Sequence, residues 1–290
     1  MLQSLVVGII TGGIYGLYAV GLVLVYRGSG VLNFAQAELG TFTLFLAQVI
    51  IVEHHQPYLV GAAIAIVVAA LLGLAFERLV VWPLRAAPRV AVSVGTIAFL
   101  ALLVALELTV FGGLPRDIPP AIAGRGVKVF SVIVSPVQLL SLLLVAAVAG
   151  ALALFLRFTD FGLSVEAASQ DQEAVRLLGI PLARVSLFTW GLAAVLSAVA
   201  ALLIQPTIGV ISASAYNVIF INAVAAALIG GLSSLSGAFL GGLVVGVAEA
   251  EIRHATVSSS LTGLPQLAIF FAVVAALVLR PNGIFSGRVA

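Results

Sequence analysis

DFGLSVEAASQDQEAVRLLGIPLAR, residues 160–184, is the one long stretch of this chain that could not sit in a lipid bilayer. It holds Asp160, Glu166, Asp171, Glu173, Arg176 and Arg184, while the sequence around it is almost entirely Ala, Leu, Val, Ile, Gly and Phe. Each such charge at the centre of a bilayer would cost about 2.5–3.5 kcal/mol, so the stretch must lie outside the hydrocarbon. Its pattern is that of a short amphipathic helix over about 169–178. Ser169 and Gln172 have capping-box spacing, Ala174, Leu177 and Leu178 form an apolar stripe, and Glu173 can pair with Arg176. Gly179 suits the left-handed position past a helix end, and Pro181 blocks continuation. Two readings stand on this pattern: a surface helix that docks a partner, and a solvated loop helix with none.

Outward from it, composition sets the class. Apolar residues make up 62% of the 290 and charged ones 8%, against about 25% charged in soluble domains. That excludes a soluble globular domain and implies one helical membrane domain over 1–290, with 158–184 as its soluble loop. The net charge of +2 is too small and dispersed for nucleic-acid binding, and the absence of Cys removes disulfides, thiol nucleophiles and thiolate metal sites. The N-terminus MLQSLVVG lacks a basic region and runs apolar to Tyr26, which reads as a retained first span.

Runs long enough to span fall near 4–26, 35–52, 58–77, 91–111, 132–156, 185–204 and 263–279. A further run, 216–250, would reach roughly 50 Å as one helix, too long for a hydrocarbon core of about 30 Å. Its middle, Gly230 to Gly237 (GGLSSLSG), is poor in helix formers, so the run is expected to break there. The fold class is therefore all-α: a bundle of eight or nine transmembrane helices with a broken or re-entrant segment near 230–237. Alternating nine spans puts Arg27, Arg78, Arg85, Arg89, Arg157, Arg176, Arg184, Arg280 and Arg288 on one side, and Arg116, Arg125, Lys128 and Arg253 on the other. The richer side is cytoplasmic by the positive-inside rule. The N-terminus is then outside, the C-terminus and 160–184 inside, and 112–131 forms an external loop. GxxxG spacings at Gly12/Gly16, Gly237/Gly241 and Gly242/Gly246 point to close helix packing.

Polar residues inside the spans need a reason. Asn33 and Gln36, three apart, would share a helix face, with Glu38 just off it. They line a solute path, form a hydrogen-bond cluster at a broken helix, or cap the second span. Glu107, deep in the fourth span, must be neutralised, paired or facing a wet cavity. Asn217, Asn222 and Gln205 flank the broken run, where they could satisfy free backbone groups. Tyr15 and Tyr18 read as packing or interface residues. Enzyme chemistry has little support: there is no HExxH, GLSSLSG does not match GxSxG, and no GxxxxGK[ST] is present to bind ATP.

Five segments, in order, together resemble the permease subunits of branched-chain amino-acid (Liv-type) ABC importers. GIYGLYAVGLVLVYRGSGVLNFAQAELG (13–40) is similar to the family's first span and its Asn-Phe-Ala-His-Gly-Glu turn, matched at Asn33, Phe34, Ala35 and Glu38 but not at Gln36 and Ala37. FERLVVWPLRAAPR (76–89), EAASQDQEAVRLLGIPLARV (166–185), GGLSSLSGAFLGGLVVGVAEA (230–250) and RPNGIF (280–285) resemble its later motifs. Where the family commonly has Lys or Arg, this chain has Asn222.

The resemblance implies an inner-membrane permease for branched-chain or other hydrophobic amino acids. Asn33, Gln36, Glu38, Glu107, Asn217 and Asn222 would lie along its path. The loop would couple to an ATP-binding subunit through Glu166, Ala167, Glu173, Ala174, Arg176, Leu177, Leu178 and Gly179. The chain itself would hold no cofactor, since ATP and Mg would bind to that subunit. Further implied partners are a second permease, as a heterodimer, and a periplasmic solute-binding protein. A urea or short-chain amide permease and an ion-coupled secondary transporter using Glu107 or Glu38 are the alternatives.

Overall fold

The computed structural model describes residues 2–122, 124, 126–129, 132–213, 216–256, 263–280 and 283; side chains of 127–129, 132–133 and 172–174 are not included. Arg125, Arg288, the side chains of Lys128, Glu173 and Ala174, and all but Arg280 and Gly283 of the closing RPNGIF therefore lie outside the description.

Backbone amides and carbonyls have no water to bond within hydrocarbon, so apolar runs of this length close their hydrogen bonds internally as helices. The chain accordingly forms α1 (Leu2–Ser29), α2 (Gln36–Gln48), α3 (Tyr58–Phe76), α4 (Arg89–Leu106), α5 (Pro136–Phe158), α6 (Asp160–Gln170), α7 (Gln172–Leu177), α8 (Leu182–Ile208), α9 (Asn217–Gly230), α10 (Leu235–Ala255) and α11 (Leu264–Leu279). A two-stranded antiparallel hairpin, β1 (Val127–Val129) and β2 (Val132–Val134), sits in the 112–135 connection. Among the described residues seven helices, counting their terminal turns, are long and apolar enough to cross a membrane; α9 and α11 are shorter apolar helices. α2, α3 and α4 each end in a π-helical turn: Val49–Glu53, Glu77–Val81 and Glu107–Phe111. Two of those turns begin with a buried glutamate, Glu77 and Glu107.

The long run breaks where its composition weakens. α9 stops at Gly230, Gly231 takes φ +97°, and Ser234 starts α10 by accepting a hydrogen bond from the Gly237 amide at 3.0 Å.

The soluble stretch differs from its sequence pattern. It is two helices: α6, capped by Thr159 (Gly162 N–H to Oγ1, 3.1 Å), and the six-residue α7, separated by extended Asp171. Ser169 lies inside α6 and bonds back to the Glu166 carbonyl at 2.6 Å, so it is not the cap that its spacing predicts. Thr159 holds the cap position ten residues earlier, and the helix starts at Asp160. Gly179 does close α7, at φ +77°, with its amide on the Arg176 carbonyl and that of Ile180 on the Val175 carbonyl.

The chain clusters into two compact units. One comprises Met1–Val20, Pro120–Gly150 and Ile219–Ala290; the other comprises Gly21–Pro119 and Ala151–Val218. In the first, small residues let backbones meet. A Cβ added to Gly242 would lie 2.3 Å from the Gly16 nitrogen, and one on Gly246 would lie 2.2 Å from the Gly12 Cα. One on Gly241 would lie 2.2 Å from the Ala226 carbonyl oxygen, and one on Gly230 would lie 2.1 Å from that of Gly237. In the second unit α2, α3 and α8 pack on one another around two apolar clusters. Val25, Phe76, Val92 and Trp190 centre the first of these; Leu39, Ala69, Leu103 and Ala194 centre the second.

Candidate functional site

Buried polar groups mark where this apolar chain departs from simple packing. In the second unit α1 ends at Ser29 and α2 begins at Gln36, leaving Asn33 in the irregular bend between them. Asn33 is thus not on a helix face. Its Oδ1 accepts from the Ala35 amide (3.0 Å) and its Nδ2 donates to Gln36 Oε1 (3.0 Å). Gln36 Nε2 in turn donates to the Ala193 carbonyl (2.8 Å) and Ser197 Oγ (2.6 Å) on α8. Thr96 of α4 supports the same bend by accepting from the Phe34 amide (3.3 Å). Both ends of the Gln36 amide are therefore engaged by protein, which makes it the pin between bend and bundle.

Replacing it should be felt as stability. Gln36→Leu leaves the buried Asn33 Nδ2 without its acceptor, a loss of about 1–3 kcal/mol. Thermal unfolding of the detergent-purified protein checks this: a lower midpoint is expected, and an unchanged one would remove the pin from the account.

Glu38 of α2 and Glu107 at the end of α4 are both fully buried and face each other. The neighbour that accompanies Glu107 is thus a second acidic side chain. At the end of the same helices that carries the π-turns of α2 and α4, Arg116 ties the following loop down. It donates to Gln48 Oε1 (2.8 Å), Glu53 Oε1 (2.5 Å) and the Phe111 carbonyl (2.6 Å), and pairs its backbone with Ile211. Gln205 reaches the Ile118 carbonyl at 3.5 Å. Asn217 stands exposed at the start of α9.

In the first unit Asn222 does not serve free backbone. Its Nδ2 donates to Glu249 Oε2 (2.9 Å), which also accepts from the Tyr15 hydroxyl (2.7 Å), while Arg253 pairs with Glu249 Oε1. Glu249 is 4% exposed. Neither its role nor the tie from Tyr15 is visible in the sequence, since the two lie 234 residues apart.

The soluble loop is anchored on one face and bare on the other. Gly162, Val165 and Ala168 of α6 and Val175 of α7 are buried, and the Phe161 ring packs on Phe188 of α8 with centroids 4.1 Å apart. Arg27, only 7% exposed near the end of α1, reaches Glu166 Oε2 at 2.8 Å and Ser169 Oγ at 3.1 Å. Ala167 is half-buried, and Arg176 and Gly179 are exposed. Leu177 and Leu178 are 90% and 76% exposed, a pair of large apolar side chains on a charged loop. No group of three or more His, Cys, Asp or Glu that could hold a metal ion exists among the described residues.

These features define a multi-pass helical membrane protein with a polar helical loop paired to the end of its first helix. Residues 4–277 match the family described as "Branched-chain amino acid transport system / permease component", and the chain belongs to that family of transport permease components. It is 30% identical to the high-affinity branched-chain amino acid transport system permease protein BraD of Pseudomonas aeruginosa, over 98% of this chain and 95% of that one. It is 29% identical to the corresponding protein LivH of Escherichia coli K12, over 98% and 94%. It is 28% identical to the probable LivH of Methanocaldococcus jannaschii, over 95% and 90%. No solved structure matches the chain.

Proposed function

We propose that this chain is one permease subunit of an ATP-driven importer in the inner membrane, carrying branched-chain or other hydrophobic amino acids inward. The observation that carries the reading is the near end-to-end similarity to branched-chain amino acid permeases, from bacteria and from Methanocaldococcus jannaschii. The chain has no phosphate-binding loop of its own, so hydrolysis, with ATP and Mg, belongs to a separate subunit. The excess of Arg on one set of connections supports an external N-terminus, with α6 and α7 in the cytoplasm.

In this reading Leu177 and Leu178 form the face that docks on the ATPase, with Arg176 at its edge and Gly179 shaping its end. Glu166 and Ala167 lie on the anchored helix behind it. Arg27 passes the movement of α6 into α1. Asn33 and Gln36 shape the bend above α2, and Glu38 and Glu107 are the polar groups offered to the path within their own unit. A second permease of the same kind and a periplasmic binding protein complete the importer.

The reading is tested by co-purifying the chain with its neighbours and reconstituting the complex in liposomes. ATP-dependent accumulation of labelled leucine, stimulated by the binding protein, is expected. Uphill uptake by this chain alone would overturn it. The Arg27–Glu166 pair supplies a sharper test. Arg27→Glu should leave ATP hydrolysis running while uptake falls about tenfold, the scale of a coupling free energy of roughly 1–2 kcal/mol. Glu166→Arg in the same chain should restore uptake, whereas equal loss in the single and the double variant would mean that the pair does not transmit.

A further inference from the structure

A cavity of about 780 Å³ opens in the second unit where several spans end together, behind the Arg176–Gly179 segment of the proposed docking loop. Its wall comes from the end of α1 (Gly28–Val31), the turn after α3 (Glu77–Ala87), the start of α4 (Arg89 and Val92), and the loop from Arg176 into the start of α8. Ends of transmembrane helices lie at the boundary between hydrocarbon and water. Trp82 and Arg85 have the character of that boundary: the guanidinium lies 3.6 Å from the indole centroid, a basic group stacked on an interfacial ring.

Two features of the wall specify a ligand. The first is charge. Arg85, Arg89 and Arg176 line the cavity against a single carboxylate, Glu77, and none of the three takes part in an ion pair among the described residues. Three guanidinium groups around one cavity, without an ion-pair partner among the described residues, are suited to phosphate oxygens. The second is Glu77 itself. It lines the cavity yet is 2% exposed, and its buried Oε1 has no hydrogen-bond partner among the described residues, while Ser186 interacts with the same carboxyl. A buried carboxylate oxygen without a donor, on a side chain at the cavity wall, can turn to accept from a hydroxyl or ammonium donor. Val31, Val81 and Val92 add an apolar lining beside these groups.

A phosphate diester, a hydroxyl donor next to it and a hydrocarbon chain together describe a glycerophospholipid headgroup. We propose that the cavity binds the headgroup of an anionic phospholipid of the phosphatidylglycerol type, its phosphate on Arg85, Arg89 and Arg176 and its glycerol hydroxyl on Glu77. Basic pockets between transmembrane helices are a recurrent way of holding such headgroups. Because Arg176 belongs to the loop, Arg85 to the α3–α4 connection and Arg89 to the start of α4, the bound lipid would tie the loop to the bundle. Placing it in the inner leaflet rests on the topology proposed above; the binding itself does not, so it can fail or hold independently of the transport reading.

Native mass spectrometry of the purified full chain, titrated with phosphatidylglycerol or phosphatidylcholine, provides the test. Both lipids carry the phosphate, but phosphatidylcholine is net neutral, brings a quaternary ammonium toward the arginines, and its choline group has no hydrogen to donate. Wild-type protein should retain phosphatidylglycerol in preference by about tenfold or more, and Arg85→Gln with Arg176→Gln should abolish that preference. Both arginines are exposed, so this variant should fold. Glu77→Leu, with its fold checked by thermal unfolding, should lose part of the preference over phosphatidylcholine. Equal retention of the two lipids by wild type, or an unchanged preference in the double arginine variant, would overturn the proposal. So would displacement of the lipid by millimolar glycerol 3-phosphate, which would assign the arginines to a soluble phosphate ester instead.

Discussion

Gly242→Val is expected to leave little folded protein. At this position α1 and α10 are in backbone contact: the added Cβ would sit 2.3 Å from the Gly16 nitrogen, 2.4 Å from its Cα and 2.7 Å from the Gly12 carbonyl oxygen. None of these atoms is the tip of a movable side chain. The clash can be relieved only by moving the helices apart, which would undo the neighbouring contact of Gly246 with Gly12 as well. Overpacking in a well-filled core costs about 1–3 kcal/mol even where side chains can adjust, and here they cannot. Van der Waals packing at small residues is also a main force holding membrane helices together, so the lost contact has little to replace it. Monodisperse protein recovered from detergent by size-exclusion chromatography measures the effect. Gly150→Ala is the control, since nothing lies within 4 Å of a Cβ there and its yield should match wild type. If Gly242→Val were recovered as well as Gly150→Ala, close contact of α1 and α10 would be wrong.

The second large effect is expected at Glu249. Its carboxylate is the common acceptor for the Tyr15 hydroxyl and Asn222 Nδ2, both within the first unit, and Arg253 holds its other oxygen. Glu249→Leu keeps the bulk but leaves two buried donors without partners, each costing about 1–3 kcal/mol. Arg253 is mostly exposed and can turn to solvent, so it adds little to the loss. The variant should therefore unfold at a clearly lower temperature than wild type. Adding Tyr15→Phe and Asn222→Leu should recover much of the difference, because donors removed together with their acceptor no longer need one. If the triple variant were no more stable than Glu249→Leu alone, the carboxylate would not be the hub.

How far the sequence reaches is clearest from particular elements. Spans expected near 58–77 and 91–111 are found as Tyr58–Val81 and Arg89–Phe111, because runs of apolar residues bounded by Arg, Pro and Gly leave one solution in lipid. The break expected between 230 and 237 is found at Gly231–Ser234 for the same local reason, a cluster of weak helix formers followed by a serine able to cap. The loop helix was harder to read. Ser169 and Thr159 both carry cap chemistry, and only contact of Gly162, Val165 and Ala168 with the bundle favours the earlier start. Asn33 and Gln36 share spacing for a helix face, yet Asn33 falls in a bend, and it is Gln36 that reaches Ala193 and Ser197, 157 and 161 residues away.

By itself, then, the sequence determined that this is a helical membrane protein, where its long apolar runs begin and break, and, through its motif order, the family to which it belongs. These follow from local hydropathy and from residues adjacent in the chain, which act before any distant part has folded. Only the tertiary structure decided what each buried polar group meets: Arg27 with Glu166, Glu38 with Glu107, Tyr15 and Asn222 with Glu249, and Glu77 with an arginine-lined cavity. A charge excluded from water must find a partner somewhere in the fold, but spacing along the chain does not say which helix will bring it.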